Sequence, residues 1–163
     1  MSALGIALLL LGLREPVGVF DRWGAFSDAS PRRCYAISQP LRTGRGATQA
    51  PFASIGTWPG EGLGNQLHVR LSRPRNPGAR VTLSIGERRF RLIAGSVDAW
   101  SPDAATDRAI VAAMRSGRSM SIETLAANGR PFADVYALSG AATAIDAAGV
   151  ACVRQRRQLA GPR

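Results

Sequence analysis

The sequence predicts a mainly β protein, an antiparallel β-sandwich of immunoglobulin-like type, with one inserted helix and one C-terminal helix. Apolar residues alternate with a period of two along many short segments, as they do in half-buried strands. The chain is broken frequently, since 18 Gly and 10 Pro occur among its 163 residues. Its length and its apolar content of 45% suit one domain with an ordinary core.

Eight segments are predicted to be strands. They begin near Trp23, Cys34, Pro51, Gln66, Val81, Phe90, Met120 and Phe132. In residues 66–72, Leu67, Val69 and Leu71 share one face of the strand, whereas His68 and Arg70 share the other. Such alternation is typical of a sheet with one buried face and one solvated face.

Two segments carry helix signals. The first helix is predicted to begin at Ser101-Pro102-Asp103, with Ser101 as N-cap, and to end at Gly117. The second is predicted over 140–148, with Ser139 as N-cap and Gly149 as the stop. It is rich in alanine, so it can approach a sheet closely.

The ends of the chain differ in composition from its middle. Residues 1–14 contain the apolar run ALGIALLLLGL, which is too short to span a bilayer and resembles the hydrophobic region of a secretory signal. A buried element or an uncleaved membrane-contacting segment is the alternative. Residues 15–153 are predicted to form the single domain. Residues 154–163 are basic and predicted to be a disordered tail.

The chain has two cysteines, Cys34 and Cys152, and one histidine, His68. Their spacing matches no zinc motif, and export implies an oxidising compartment, so we predict a disulfide. It would close a loop of more than 100 residues, which is worth about 4–5 kcal/mol in the chain-entropy model. Two unpaired buried thiols are the alternative.

The charge is strongly positive, because all 21 cationic residues are Arg and only 11 residues are acidic. A formal net charge of +10 favours anionic partners. The predicted binding face consists of six arginines: Arg70, Arg73, Arg75, Arg88, Arg89 and Arg91. Arginines spread over a solvated surface are the alternative. Export argues against a specific nucleic acid as partner.

Several motifs together resemble the invasion-associated locus B family of bacterial envelope proteins. They are Trp23, the stretch RRCYAIS around Cys34, and the late block that contains DRAIVAAMRSGRSMSIET and ADVYALSGAATAIDAAGVAC. The resemblance implies an exported β-sandwich without catalytic residues. Ala141 stands where many members carry an aromatic residue, and no second cysteine pair is present, so no host-invasion role is carried over.

No catalytic, metal or cofactor motif was recognised in the sequence. A platform of Trp23, Trp58 and Trp100 with Tyr35 and Tyr136 would suit glycan or single-strand recognition, although these residues suit a core equally. The sequence therefore predicts a periplasmic or secreted non-enzymatic protein that binds an anionic envelope component or a partner protein. An envelope hydrolase that uses His68 or a pair of carboxylates is the alternative.

Overall fold

A computed structural model of the chain describes residues 14–43 and 46–160, with side chains of the last helix described as far as residue 155. This part contains ten strands and two helices. The strands are β1 Arg14–Phe20, β2 Trp23–Ala29, β3 Arg32–Ser38, β4 Phe52–Trp58, β5 Leu63–Arg70, β6 Val81–Ile85, β7 Arg88–Ala94, β8 Asp98–Trp100, β9 Ser119–Leu125 and β10 Pro131–Ala137. The helices are α1 Ala104–Ser116 and α2 Ala141–Ala160.

The strands form one antiparallel sheet in the order β1-β2-β3-β4-β5-β8-β7-β6-β9-β10. The sheet turns at β7, which pairs with β6 through residues 88–92 and with β8 through Ile93 and Ala94. The two ends of the order meet again, because the indole N–H of Trp23 on β2 donates to the carbonyl oxygen of Ala137 on β10 at 2.9 Å. The result is a two-layered β architecture, which confirms the predicted fold class.

One core lies between the layers and beneath the helices. Alternate residues of β2 to β5 point inward, among them Trp23, Ala36, Ile55 and Leu67. They form one buried cluster with inward residues of β6, β9 and β10 and with the apolar faces of α1 and α2. The period of two seen in the sequence thus corresponds to the inner face of each strand.

Helix α1 begins two residues later than predicted, because its N-cap is Asp103 and not Ser101. The carboxylate of Asp103 accepts a hydrogen bond from the backbone N–H of Thr106 at 2.7 Å. The hydroxyl of Ser101 donates instead to the carboxylate of Asp107, which also accepts from the backbone N–H of Leu67 at 2.8 Å. This bond ties α1 to β5. Gly117 caps the C-terminus of α1, as predicted.

Helix α2 is longer than predicted, and Gly149 lies inside it. The predicted stop at Gly149 is wrong because a single glycine costs a helix only about 1 kcal/mol. The prediction of a disordered tail is also wrong for residues 154–160, since the helix continues to Ala160. Arg, Gln and Leu are good helix formers, and cations suit a helix C-terminus. Residues 161–163 lie outside the described residues.

Two strands were absent from the prediction. Strand β1 is largely exposed and lies at the edge of the sheet, so its sequence lacks a buried alternation. Strand β8 has only three residues, which are placed by pairing with β5 and β7. The predicted signal segment lies outside the described residues except for Arg14, with which β1 begins. Neither α1 nor α2 is both long and apolar enough to cross a membrane.

Candidate functional site

The outer face of strands β1 to β5 and β8 is the side of the sheet that points away from α2 and the core. Cys34 and Leu67 mark the inner side, where they contact α2 and α1. The registers place aromatic and cationic side chains on the opposite side. We call this surface the aromatic–arginine face, which consists of Phe26, Tyr35, Phe52, Trp58, His68 and Trp100 with Arg14, Arg33 and Arg70.

The rings of the aromatic–arginine face contact one another across neighbouring strands. Phe26 of β2 stacks on Tyr35 of β3 with ring centroids 5.7 Å apart. His68 of β5 stacks on Trp100 of β8 at 5.2 Å with nearly parallel planes, and its other contact is the edge-on ring of Phe52 at 5.1 Å. These separations are those of favourable aromatic pairs. Phe26, Phe52, Trp58, His68 and Trp100 are half-buried, whereas Tyr35 is buried, with Arg14 and Arg33 over its ring.

Glycines on the same face make room for two of these rings. A Cβ atom added to Gly24 would lie 2.8 Å from the ring of Phe26, and one added to Gly56 would lie 2.6 Å from the ring of Trp58. Each ring thus covers a glycine two residues earlier on its own strand. This arrangement keeps the rings close to the sheet rather than projecting from it.

Three arginines lie over these rings. The Arg14 guanidinium lies 5.7 Å from the ring centroid of Phe26 and 5.8 Å from that of Tyr35. Arg33 lies 4.9 Å from the ring of Tyr35, and Arg70 lies 5.6 Å from the ring of Phe52. A guanidinium stacked on a ring still has its in-plane N–H groups available as donors.

Two carboxylates on the same face pair with these cations. Asp28 accepts from Arg33 Nε at 2.7 Å. Asp98 accepts from His68 Nε2 at 2.9 Å and from Arg70 Nε at 3.2 Å. Partial burial acts to raise the pKa of Asp98, but the hydrogen bonds from His68 and Arg70 outweigh it and hold that pKa below its ordinary value.

A cleft of ≈ 630 Å³ opens at one end of the aromatic–arginine face. Phe26, Phe52 and Ile37 supply its apolar lining, and Arg14 supplies a cation from the face. Arg22 and Asp21 add one further charge of each sign. Its volume lies within the range of small-molecule sites, and the mixture of apolar surface with a few charged groups is typical of them.

The two cysteines lie on the other side of the sheet. Cys34 of β3 and Cys152 of α2 form a disulfide with Sγ atoms 2.04 Å apart and Cα atoms 5.7 Å apart. Both residues are buried. The pairing predicted from the sequence is the one in the structure, and it fastens α2 to the middle of the large layer.

The comparisons with known proteins concern this fold. No family model matches the sequence, and no curated protein matches it. The crystal structure of invasion associated protein B from Bartonella henselae does match, with a TM-score of 0.59. The match covers 89% of this chain and 99% of that chain at 14% sequence identity. The chain has the fold of invasion associated protein B. The family resemblance in Trp23 and the late block is thus confirmed at the level of the fold.

Within the invasion associated protein B fold, the six arginines predicted as one binding face are separated. Arg70 alone belongs to the aromatic–arginine face. Arg89 and Arg91 lie on the outer side of β7, whereas Arg88 lies on the opposite side, over the ring of Phe90 at 5.0 Å. Strand alternation causes this split, because neighbouring residues of a strand point to opposite faces.

The other two predicted arginines lie in the loop between β5 and β6. Arg75 donates to five carbonyl oxygens, which are those of Asn76, Pro77, Ala79, Ala94 and Gly95. It therefore holds the loop after β5 against the end of β7. Arg73 lies over the ring of Phe132 at 4.9 Å, and its Nε and Nη2 are buried without a hydrogen-bond partner among the described residues. The prediction of a single face made of all six arginines is therefore wrong.

The structure also divides the aromatic platform considered from the sequence. Trp23 and Tyr136 are fully buried in the core. Trp58 and Trp100 are half-buried and belong to the aromatic–arginine face instead. Tyr35 lies on the same side of the sheet but is buried there, beneath Arg33. Phe26 and Phe52, which the sequence reasoning did not single out, complete that face. The pattern Gly-x-aromatic in 24–26 and 56–58 is the signal that could have identified two of these rings.

His68 and Asp98 form the pair that a hydrolase of the Ser–His–Asp type would use. In that arrangement a serine hydroxyl approaches the free ring nitrogen of the histidine. The neighbouring hydroxyl on this face, that of Ser54, donates instead to the backbone oxygen of His68 at 3.4 Å. No group of three or more His, Cys, Asp or Glu residues in the described part could hold a metal ion. His68 and Asp98 therefore form a pair in which Ser54 does not take part.

Proposed function

We propose that this protein is an exported, non-enzymatic binding protein of the bacterial envelope, and that its aromatic–arginine face recognises an anionic component of that envelope. The shared fold with invasion associated protein B supports the envelope as its location. The disulfide supports the same proposal, since such bonds persist in oxidising compartments.

One observation carries the proposal. Guanidinium groups lie over aromatic rings on a sheet face that neither α1 nor α2 covers. Stacking orders these long side chains before a ligand arrives, so less conformational entropy is lost when they bind an anion. Their in-plane N–H groups match carboxylate and phosphate oxygens, often in a bidentate manner.

The charge balance of this face favours an anion. Its two carboxylates, Asp28 and Asp98, are both engaged by cations of the face. Arg14 makes no salt bridge among the described residues. The face therefore has excess positive charge that an anionic ligand could neutralise.

The proposal is tested with the double variant Arg14→Gln, Arg70→Gln. Asp98 keeps its bond to His68 in this variant, so no carboxylate loses all its partners. Binding to purified lipopolysaccharide is measured across a range of salt concentrations. We expect about a tenfold or larger loss of affinity and a shallower salt dependence than in the wild type.

The variant Arg88→Gln is the matched control, because Arg88 also lies over an aromatic ring but on the opposite side of β7. Its affinity should remain close to that of the wild type. Equal binding by the double variant and the wild type would contradict the proposal. A loss of the same size in the control would show that overall charge, and not this face, determines binding.

A further inference from the structure

The cleft at the end of the aromatic–arginine face combines three features. Its apolar surface includes the rings of Phe26 and Phe52, which are half-buried and belong to different strands. The Arg14 guanidinium lies over the first ring and lines the same cleft. Gly24 has no side chain there, and its space is taken by the ring of Phe26. The cleft thus offers ring surface and a cation side by side.

These features differ from what a phosphate alone requires. A free phosphate or a lipid headgroup is bound by cations and N–H donors, and aromatic surface adds little to its recognition. A ligand that uses both parts of the cleft must present an apolar face and an anionic group close together. The C–H face of a pyranose ring packs on aromatic rings, whose faces are electron-rich. A uronic acid adds a carboxylate to that sugar ring.

The remaining rings extend this surface beyond the cleft. The aromatic–arginine face continues over β3, β4, β5 and β8 to Trp58, His68 and Trp100. Five strands from β2 to β8 span about 19 Å at the usual spacing of roughly 4.8 Å between strands. Arg33 and Arg70 are placed along this length. The pattern suits a chain of sugars that carries repeated negative charges.

We propose that the aromatic–arginine face binds an acidic polysaccharide, with one sugar ring in the cleft between Phe26 and Phe52 and its carboxylate on Arg14. This inference rests on the proposed function and names the ligand class. The ring-bearing residues of the cleft contribute stacking, whereas the arginines supply the affinity that depends on salt.

The test uses a hexamer of galacturonic acid as the probe and the full chain with its disulfide intact. In Phe26→Leu and Phe52→Leu the ring is lost while an apolar side chain remains. We expect each to bind the hexamer about tenfold more weakly than the wild type. In Phe52→Tyr the ring is kept, and its affinity should stay within about twofold of the wild type. The methyl-esterified, uncharged hexamer should bind at least about tenfold more weakly.

Phe90→Leu is the matched control, since Phe90 lies beneath an arginine on the other side of β7 and outside the cleft. It should bind the hexamer as the wild type does. Thermal unfolding of every variant separates a binding defect from a folding defect. As a readout that needs no variant, the intrinsic tryptophan fluorescence of the wild type should change on addition of the charged hexamer, because Trp58 and Trp100 belong to the face.

The outcomes separate this inference from the proposed function. If Phe26→Leu and Phe52→Leu bind as the wild type does while Arg14→Gln, Arg70→Gln binds lipopolysaccharide weakly, anion binding stands and sugar stacking is wrong. If vesicles of phosphatidylglycerol or an oligonucleotide of thymidines bind more tightly than the hexamer with the same dependence on Phe26 and Phe52, the ligand class is wrong. If the arginine variant binds lipopolysaccharide as the wild type does, the proposed function is wrong.

Discussion

At the scale of single residues, two glycines of the α2 region differ in whether their positions can accept a side chain. Gly140 has φ = 82°, and a Cβ atom there would lie 1.7 Å from the carbonyl oxygen of Phe20 at the end of β1. Gly149 lies inside α2, and a Cβ atom there would meet nothing within 4 Å. Only the first position needs a glycine, because both its backbone conformation and its close approach to β1 exclude a side chain.

The same substitution should therefore have opposite effects at the two positions. We expect Gly140→Ala to destabilise the protein by about 2–4 kcal/mol through backbone strain and displacement of β1. Gly149→Ala should stabilise it by up to about 1 kcal/mol, since alanine is the better helix former. Chemical denaturation of both variants checks this. A similar stability change in both would mean that β1 does not lie against the start of α2.

Asp134 is a buried acid whose titration should affect stability. It is 0% exposed, and one carboxylate oxygen accepts from the backbone N–H of Ser72 at 2.8 Å. Burial raises the pKa of Asp134 above its ordinary value of 3.8, although the Ser72 bonds and the charge of Arg73 act in the opposite direction. The folded protein therefore holds this proton more tightly than the unfolded chain does. The stabilisation of the folded state by the protonated Asp134 is complete below about pH 4, and it is lost as pH rises through the raised pKa.

Asp134→Asn removes this titration and keeps an oxygen that can accept from Ser72. The free energy of unfolding of the variant should therefore rise relative to that of the wild type between about pH 4 and pH 7, by about 1.4 kcal/mol for each unit of pKa shift. Asp146→Asn is the control, because the bond from Arg115 lowers the pKa of Asp146. The free energy of unfolding of Asp146→Asn should lie below that of the wild type at neutral pH, and this difference should shrink only as pH falls. Parallel curves for Asp134→Asn and the wild type would contradict the prediction.

At the scale of elements, alternation identified those strands that have a buried face. Strand β5 shows this clearly, since Leu67 and Val69 are buried and His68 faces outward. Strand β1 gave no such signal because its side chains are mostly exposed and it is held by backbone pairing with β2. Helix α2 continues beyond Gly149 because the residues that follow are good helix formers, and the bond from Cys152 to Cys34 adds a tertiary contact that the local sequence does not report.

The candidate site was harder to predict than the elements for a related reason. The sequence showed many arginines but did not show which side of which strand each one occupies. Arg88 and Arg89 are neighbours in the chain and lie on opposite faces of β7. Arg14 and Tyr35 are distant in the chain, yet they meet because β1, β2 and β3 are adjacent. Pairing register, and not composition, assembles the aromatic–arginine face.

At the scale of the whole molecule, the fold limits where an N-terminal signal could be removed. Arg14 begins β1 and lies opposite Asp28 in the backbone pairing of β1 with β2. Its guanidinium lies over the rings of Phe26 and Tyr35. Cleavage beyond Arg14 would remove part of the proposed binding face. The disulfide meanwhile links residues 118 positions apart, so it closes most of the 163-residue unfolded chain into a loop. The proposal of export therefore predicts that both processing and oxidation can be detected by mass measurement.

We expect intact-mass measurement of exported, non-reduced protein to give a chain that begins at or before Arg14 and has lost two hydrogens through the Cys34–Cys152 bond. Reduction should add those two hydrogens and lower the free energy of unfolding by about 4–5 kcal/mol, because the unfolded chain is no longer closed into a loop. The variant Cys34→Ser, Cys152→Ser should match the reduced protein in stability and be insensitive to reductant. Two free thiols in natively isolated protein would contradict the oxidised state and remove the main chemical argument for export. An N-terminus within β1 would contradict the role of Arg14.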